Sequence, residues 1–155
     1  MRLFSSFDKI LSFLESAYED PVTTFVSTQT PLLSNLSMLE NIALISQVHE
    51  KLSITRSHKK AYEALSTLDL GRIASLRYEN CSAKEKFYVQ LLRANILKDA
   101  KVIIEQPFML LAEEMSIEFI LNALQRLNIS YDRVSIIDLI HQQSNYKEPQ
   151  CHIEK

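Results

Sequence analysis

The chain has 155 residues, 46% of them apolar and 23% charged, with a formal net charge of −2. That is enough for one domain with a real core, and the near-balanced charge gives no electrostatic footprint for nucleic acid. Two cysteines, Cys81 and Cys151, are too few for a disulfide scaffold or a four-cysteine zinc site.

No apolar run approaches the roughly 18–20 residues that span a bilayer. The start, Met1-Arg2-Leu3-Phe4, is soon interrupted by Asp8, Lys9 and Glu15 and does not read as a signal peptide. The expectation is a cytoplasmic protein without direct membrane insertion. Gly71 is the only glycine. A loop that cradles phosphates needs glycines, because its N–H groups approach the anion in conformations closed to other residues. No such loop is assignable.

In chain order, residues 7–18 predict an amphipathic helix with Phe7, Ile10, Leu11, Leu14 and Tyr18 on one face. Residues 22–26 are β-branched and aromatic, as in a short strand. A loop follows through Gln29, Pro31 and Leu36. Ser37 and Glu40 have capping-box spacing and open a helix over 38–52. A second helix is predicted over 57–68, with Gly71 available as its C-cap. His49 and His58 are too far apart for a one-face metal pair and read as solvated. Arg56, His58, Lys59 and Lys60 read as a solvated basic face.

Ser82 and Glu85 repeat the capping-box spacing before Phe87, Leu91, Leu92 and Ala94. Lys98-Asp99 turns the chain. Val102-Ile103-Ile104 suits a covered strand. Glu105 and Gln106 sit at its exit, and Pro107 cannot continue it. Residues 113–127 predict a helix with Glu113 and Glu114 in the first turn and Arg126 in the last. Residues 128–132 turn the chain, and 134–140 form a strand delivering His141. The polar segment 142–155 reads as a loosely held tail. Cys151 and His152 in it lack further metal-binding partners. Three parallel strands are therefore expected near 22–27, 101–105 and 133–140, with helices on at least one face.

The order capped helix, turn, strand, Glu105-Gln106-Pro107 resembles the core of ATP-binding cassette (ABC) ATPases, closest to the exporter and lipid-transport branch. The resemblance covers roughly residues 22–141. Ser82 matches the signature serine, while Ala83 and Lys84 stand where two glycines are expected. Arg93-Ala94 match the helix that follows. Glu105 matches the Walker B aspartate that attends magnesium. Gln106 matches the catalytic glutamate. Ala112 falls where the next loop carries an aspartate. Gln29 matches the Q-loop glutamine, with Leu32-Leu33 and Glu40-Asn41 following as in the family. His141 matches the switch histidine. Ser5-Ser6-Phe7-Asp8-Lys9 is either a worn phosphate loop or simply a serine-rich helix start.

The resemblance implies an α/β fold with a reduced P-loop-type core of few, mainly parallel strands. Residues 1–141 would form one domain, with a helical insert at about 37–80. Residues 142–155 would form the tail. Without a phosphate cradle, neither tight ATP binding nor hydrolysis is expected, and no cofactor is assigned. The implied function is that of a non-catalytic ABC-like protein acting through protein contacts. Its partner would be a membrane permease, a true ABC ATPase or a second copy, which would place it peripherally at the inner membrane. Leu32, Leu33, Asn35 and Leu36 form the expected contact loop. The alternatives are a residual nucleotide-binding ATPase component, which would use ATP and Mg²⁺ with Glu105 on the metal, and a soluble adaptor unrelated to transport.

Overall fold

The computed structural model describes residues 1–111 and 116–146, together with the backbone of 152–154. Among these residues one five-stranded sheet runs in the order β2-β3-β4-β1-β5, with every pairing parallel. The strands are β1 (Arg2–Phe4), β2 (Thr23–Val26), β3 (Lys101–Glu105), β4 (Val134–Leu139) and β5 (His152–Glu154). The three expected strands are present at β2, β3 and β4. β1 and β5 are additions, and each is too short for periodicity to reveal. β5 lies within the segment read as a loose tail, which instead returns to pair with β1. Cys151 lies outside the described residues, as do Ala112, Glu113 and Glu114.

Side chains alternate across the sheet, so each strand serves two cores. Leu3, Val26, Val102, Ile104 and Ile136 join the larger cluster. Phe4, Ile103 and Ile137 join the smaller one, under helix α1 (Phe7–Tyr18). Only Ile10 and Leu14 of α1 are buried. Phe7, Leu11 and Tyr18 share the predicted stripe but stay exposed. The other sheet face carries α4 (Ala83–Asn95). Its Phe87, Val89, Gln90, Leu91, Leu92, Ala94 and Asn95 are buried nearly all round the axis. A helix apolar on this many sides is central rather than peripheral.

Beyond α4 lies a helical insert built on α2 (Met38–His49) and α3 (Ile54–Ser66). Both predicted capping boxes form, at Ser37–Glu40 and Ser82–Glu85. α2 is shorter than expected, because Lys51 turns left-handed at φ 57°. α3 starts earlier, because Ser53 accepts from Arg56 N–H and caps it. Gly71 is not its C-cap. Asp69 takes the left-handed position at φ 60°, with Leu70 N–H donating to Leu65 O (3.0 Å) and Asp69 N–H to Ser66 O (3.1 Å). That pair of bonds is a Schellman closure. Asn128 repeats it after α6 (Ile117–Arg126), at φ 51°. Pro107 opens an unforeseen short helix, α5 (Pro107–Leu111), where its missing N–H costs nothing. No helix among the described residues is long and apolar enough to cross a membrane.

Candidate functional site

Because all strands are parallel, their carboxyl ends meet at one edge. The connection leaving β1 runs to β2, whereas the one leaving β4 runs the opposite way to β5. β1 and β4 are neighbours, so the crevice between their ends is the topological switch point, where α/β sheets bind ligands. Four exits line this edge: Ser5-Ser6 after β1, Ser27 to Thr30 after β2, Glu105-Gln106 after β3 and Ile140-His141 after β4. The sequence-predicted residues Gln29, Glu105, Gln106 and His141 thus stand on adjoining loops of one edge.

Glu105 is 3% exposed, and its Oε2 has no hydrogen-bond partner among the described residues. Burial raises its carboxyl above the usual range, and the Ser27 hydroxyl beside it offsets part of that. Ser27 is fully buried and organises its own loop, accepting from Gln29 N–H (3.1 Å) and Thr30 N–H (3.2 Å). Tyr18 reaches the same hydroxyl, while its ring stacks on Phe25 at 4.2 Å. Its phenol is pushed up by burial, with the nearby Glu105 charge acting in the same direction.

Gln106 is buried and left-handed at φ 42°, an uncommon conformation for a side chain of this size. Its N–H donates to Ile137 O at 2.8 Å and its carbonyl accepts from Met109 N–H at 2.9 Å. The residue thereby converts strand β3 into helix α5. His141 is exposed and is the second residue of a 3-10 segment, Ile140–Tyr146. Tyr146 of that segment is buried, and its phenol donates to Asp138 Oδ2 at 2.6 Å. Asp138 Oδ1 accepts from Leu139 N–H at 2.8 Å. Burial lifts the Asp138 carboxyl above the usual range, against the pull of these two donors and of His141. Asp138 and Tyr146 escaped the sequence reading. Asp138 lies within the strand expected over 134–140, and nothing local marks Tyr146 as its partner.

The Gln29 loop is held from two sides. Arg93 Nη1 of α4 donates to Pro31 O at 2.9 Å. Asn41 of α2, 1% exposed, accepts from Leu33 N–H at 2.8 Å and donates Nδ2 to Leu33 O, Leu36 O and Ser37 O. Leu33 and Asn35 are exposed and Leu36 partly so, whereas Leu32 is 4% exposed and packs in the core. Leu32 therefore cannot belong to a contact surface, contrary to expectation, because the loop held by Asn41 and Arg93 buries it. Ser82 is exposed, but its hydroxyl and N–H both serve the capping box with Glu85. It is not joined to the sheet edge.

The β1–α1 turn does not fit a phosphate cradle. It contains only Ser5 and Ser6, and α1 carries Asp8 in its first turn, where a carboxylate repels an anion. Among the described residues no group of three or more His, Cys, Asp or Glu could hold a metal. Glu105 alone, with its orphan oxygen, would suit a cation or a donated hydrogen bond.

A scan of protein-family models returns no match, and neither does a search of curated proteins. Solved structures do match. A nucleotide-free ATP-binding cassette from an ABC transporter aligns with a TM-score of 0.61 at 14% identity, over 93% of this chain and 71% of that one. A dimeric ATP-binding cassette in a post-hydrolysis state, bound to ADP and phosphate, aligns with a TM-score of 0.58 at 21% identity. That alignment covers 90% of this chain and 59% of the other, so the chain spans well under two thirds of its length. The fold is that of an ATP-binding cassette. Within the cassette fold, β3 and its Glu105-Gln106 exit, the helix α4 and the insert of α2 and α3 all follow in the order expected from the sequence.

Proposed function

We propose that this chain is a non-catalytic ABC-ATPase-like protein that acts through protein contacts. Its partner is a membrane permease, a true ABC ATPase or a second copy of itself, and it sits peripherally at a membrane through that partner. The observation that carries the reading is the two-residue β1–α1 turn. Nucleotide hydrolysis depends on clamping the phosphates, and a nest of N–H donors with a lysine does the clamping. A turn of Ser5 and Ser6 offers no such nest, and Asp8 stands beside Lys9 where an anion would lie. Gln106 could orient a water but cannot take its proton. The loop of Leu33, Asn35 and Leu36, pinned by Asn41 and Arg93, is the rigid, partly apolar contact surface.

Affinity purification from the native cell, with identification of the co-purifying proteins, tests the partner. Recovery of a permease or an ABC ATPase supports the reading, provided that Leu33→Glu abolishes it. Recovery of no such protein, or recovery unaffected by Leu33→Glu, refutes it. Calorimetry with Mg-ATP tests the catalytic half. The expected affinity is weaker than about millimolar, or roughly −4 kcal/mol. Micromolar binding would favour a residual nucleotide-binding component instead.

A further inference from the structure

The helical insert carries an open surface pocket of about 450 Å³. Ser37, Leu39 and Glu40 of the α2 start, His58 and Tyr62 of α3, and Ala74, Ser75 and Arg77 of the following segment line it. Its size lies in the range of small-molecule sites, roughly 300–1,000 Å³. The local sequence builds it firmly. Met38 N–H donates to Leu76 O (2.8 Å) and Leu39 N–H to Ala74 O (3.0 Å), tying the 74–77 segment across the end of α2. Ser37 and Arg77 form an antiparallel bridge. The chain's only glycine serves the same wall. A Cβ on Gly71 would come within 3.3 Å of the Tyr62 phenol oxygen.

The backbone donors at the start of α2 are therefore already used, and the polar groups left facing the cavity are side chains. Glu40 Oε2 accepts from Ser37 N–H at 2.8 Å, and this bond, with the Ser37 hydroxyl beside it, holds the carboxyl below its usual range. Arg77 and the half-buried His58 attract Glu40 through space, yet neither forms an ion pair with it. The Tyr62 phenol likewise makes no hydrogen bond among the described residues. The lining thus holds a carboxylate anchored at Ser37 and an exposed guanidinium, separated rather than paired. The other polar side chains of the lining are Ser37, His58, Tyr62 and Ser75, with Leu39, Ala74 and the Tyr62 ring as apolar wall.

We propose that this cavity binds a small zwitterion of the amino-acid type. Its carboxylate would lie on the Arg77 guanidinium, its ammonium on Glu40, and an apolar side chain against Leu39, Ala74 and the Tyr62 ring. A plain anion would meet Glu40, and a plain cation would meet Arg77. A ligand carrying both signs answers both, and a planar guanidinium fork suits a carboxylate.

The test is a titration of the 15N-labelled full chain with L-leucine at neutral pH, read by NMR. Saturable shifts are expected at the amides of Leu39, Glu40, Ser75 and Arg77, with a dissociation constant of about a millimolar. 4-Methylpentanoate lacks the ammonium and isoamylamine lacks the carboxylate. Each should bind at least about tenfold more weakly, the equivalent of losing one charge-assisted contact. Arg77→Gln should abolish saturation. Glu40→Gln keeps the capping box, since glutamine reaches back to the same N–H. It should weaken leucine about tenfold and strengthen 4-methylpentanoate, because the repelling carboxylate is gone. Unchanged spectra away from the cavity establish that both variants fold. Shifts that fail to saturate by about 50 mM would overturn the proposal. So would wild-type binding of 4-methylpentanoate as tight as that of leucine, or leucine binding indifferent to Glu40→Gln.

Discussion

Asn41→Ala should be among the costliest single substitutions outside the apolar core. The amide is 1% exposed and closes the loop between β2 and α2 on itself. It accepts from Leu33 N–H at 2.8 Å and donates to Leu33 O and Ser37 O, each at 3.0 Å, with a longer contact to Leu36 O at 3.4 Å. Counting only the three short bonds at about 1 kcal/mol each gives a loss of about 3 kcal/mol. For a chain of this size each kcal/mol shifts the melting temperature by roughly 2–4 °C, so the midpoint should fall by about 6–12 °C. Asn41→Asp separates mechanism from mere volume. Aspartate keeps the acceptor for Leu33 N–H but turns a carboxylate oxygen toward backbone carbonyls that need a donor. It should cost at least as much as alanine at neutral pH, and less in acid, where a protonated carboxyl can donate. Calorimetric melting of both variants is the assay, with amide exchange at Leu33 as the local probe. An aspartate variant as stable as wild type would refute the assignment of Nδ2 as the donor holding this loop.

Glu105→Gln should raise stability more at pH 8 than at pH 5. Burial lifts the Glu105 carboxyl, so its favourable contribution is complete below the ordinary glutamate range and is lost as pH rises through the raised value. A neutral glutamine has nothing to lose, and a melting difference that ignores pH would contradict the buried-carboxyl reading. Tyr146→Phe should cost about 1.5–3 kcal/mol, the value of a hydrogen bond to a charged group, and cost less once Asp138 is protonated. A destabilisation equal at both ends of that range, measured by urea unfolding, would place the phenol's role in packing alone. Gln106→Glu should leave phosphate release at background, because no cradle presents a phosphate to the new base. It should be neutral or mildly destabilising at neutral pH and recover toward acid, since adjacent carboxylates at positions 105 and 106 repel when both are ionised.

Elements whose signal is local were legible in the sequence. Both capping boxes, the α1 face around Ile10 and Leu14, and the strand at 101–105 are each specified within a dozen residues, by side-chain period or by a donor–acceptor pair at fixed spacing. What stayed hidden depends on partners distant in sequence. β1 is three residues long and becomes a strand only because β4 and β5 flank it. Leu32 was read as surface because it lies in a loop next to Leu33. Its burial is decided by Asn41 and Arg93, from two different helices, which fix the turn around it. Gly71 was read for backbone freedom when its actual use is space for Tyr62, a contact with the preceding helix. The left-handed positions went instead to Asp69 and Asn128, residues that tolerate that region and complete Schellman closures.

The same distinction explains how a chain can share the spacing of the cassette fold without a glycine-rich turn after its first strand. Spacing follows from packing. A strand of five residues, a helix long enough to cover it and an inward-facing loop have the same lengths whether or not a nucleotide is bound. Every residue that holds this edge in shape does so through closures within the protein. Asn41 and Arg93 fix the β2 loop, Ser27 organises the turn after β2, and Gln106 turns β3 into α5 through its bonds to Ile137 and Met109. Tyr146 straps the segment after β4 onto Asp138. None of these closures needs a ligand to satisfy it. Glycines in a phosphate loop are different, because they contribute nothing to packing and only the anion requires them. The frame and the chemistry are therefore separable in physical terms. A rigid sheet edge with a pinned, partly apolar loop beside it is sufficient equipment for a protein contact surface.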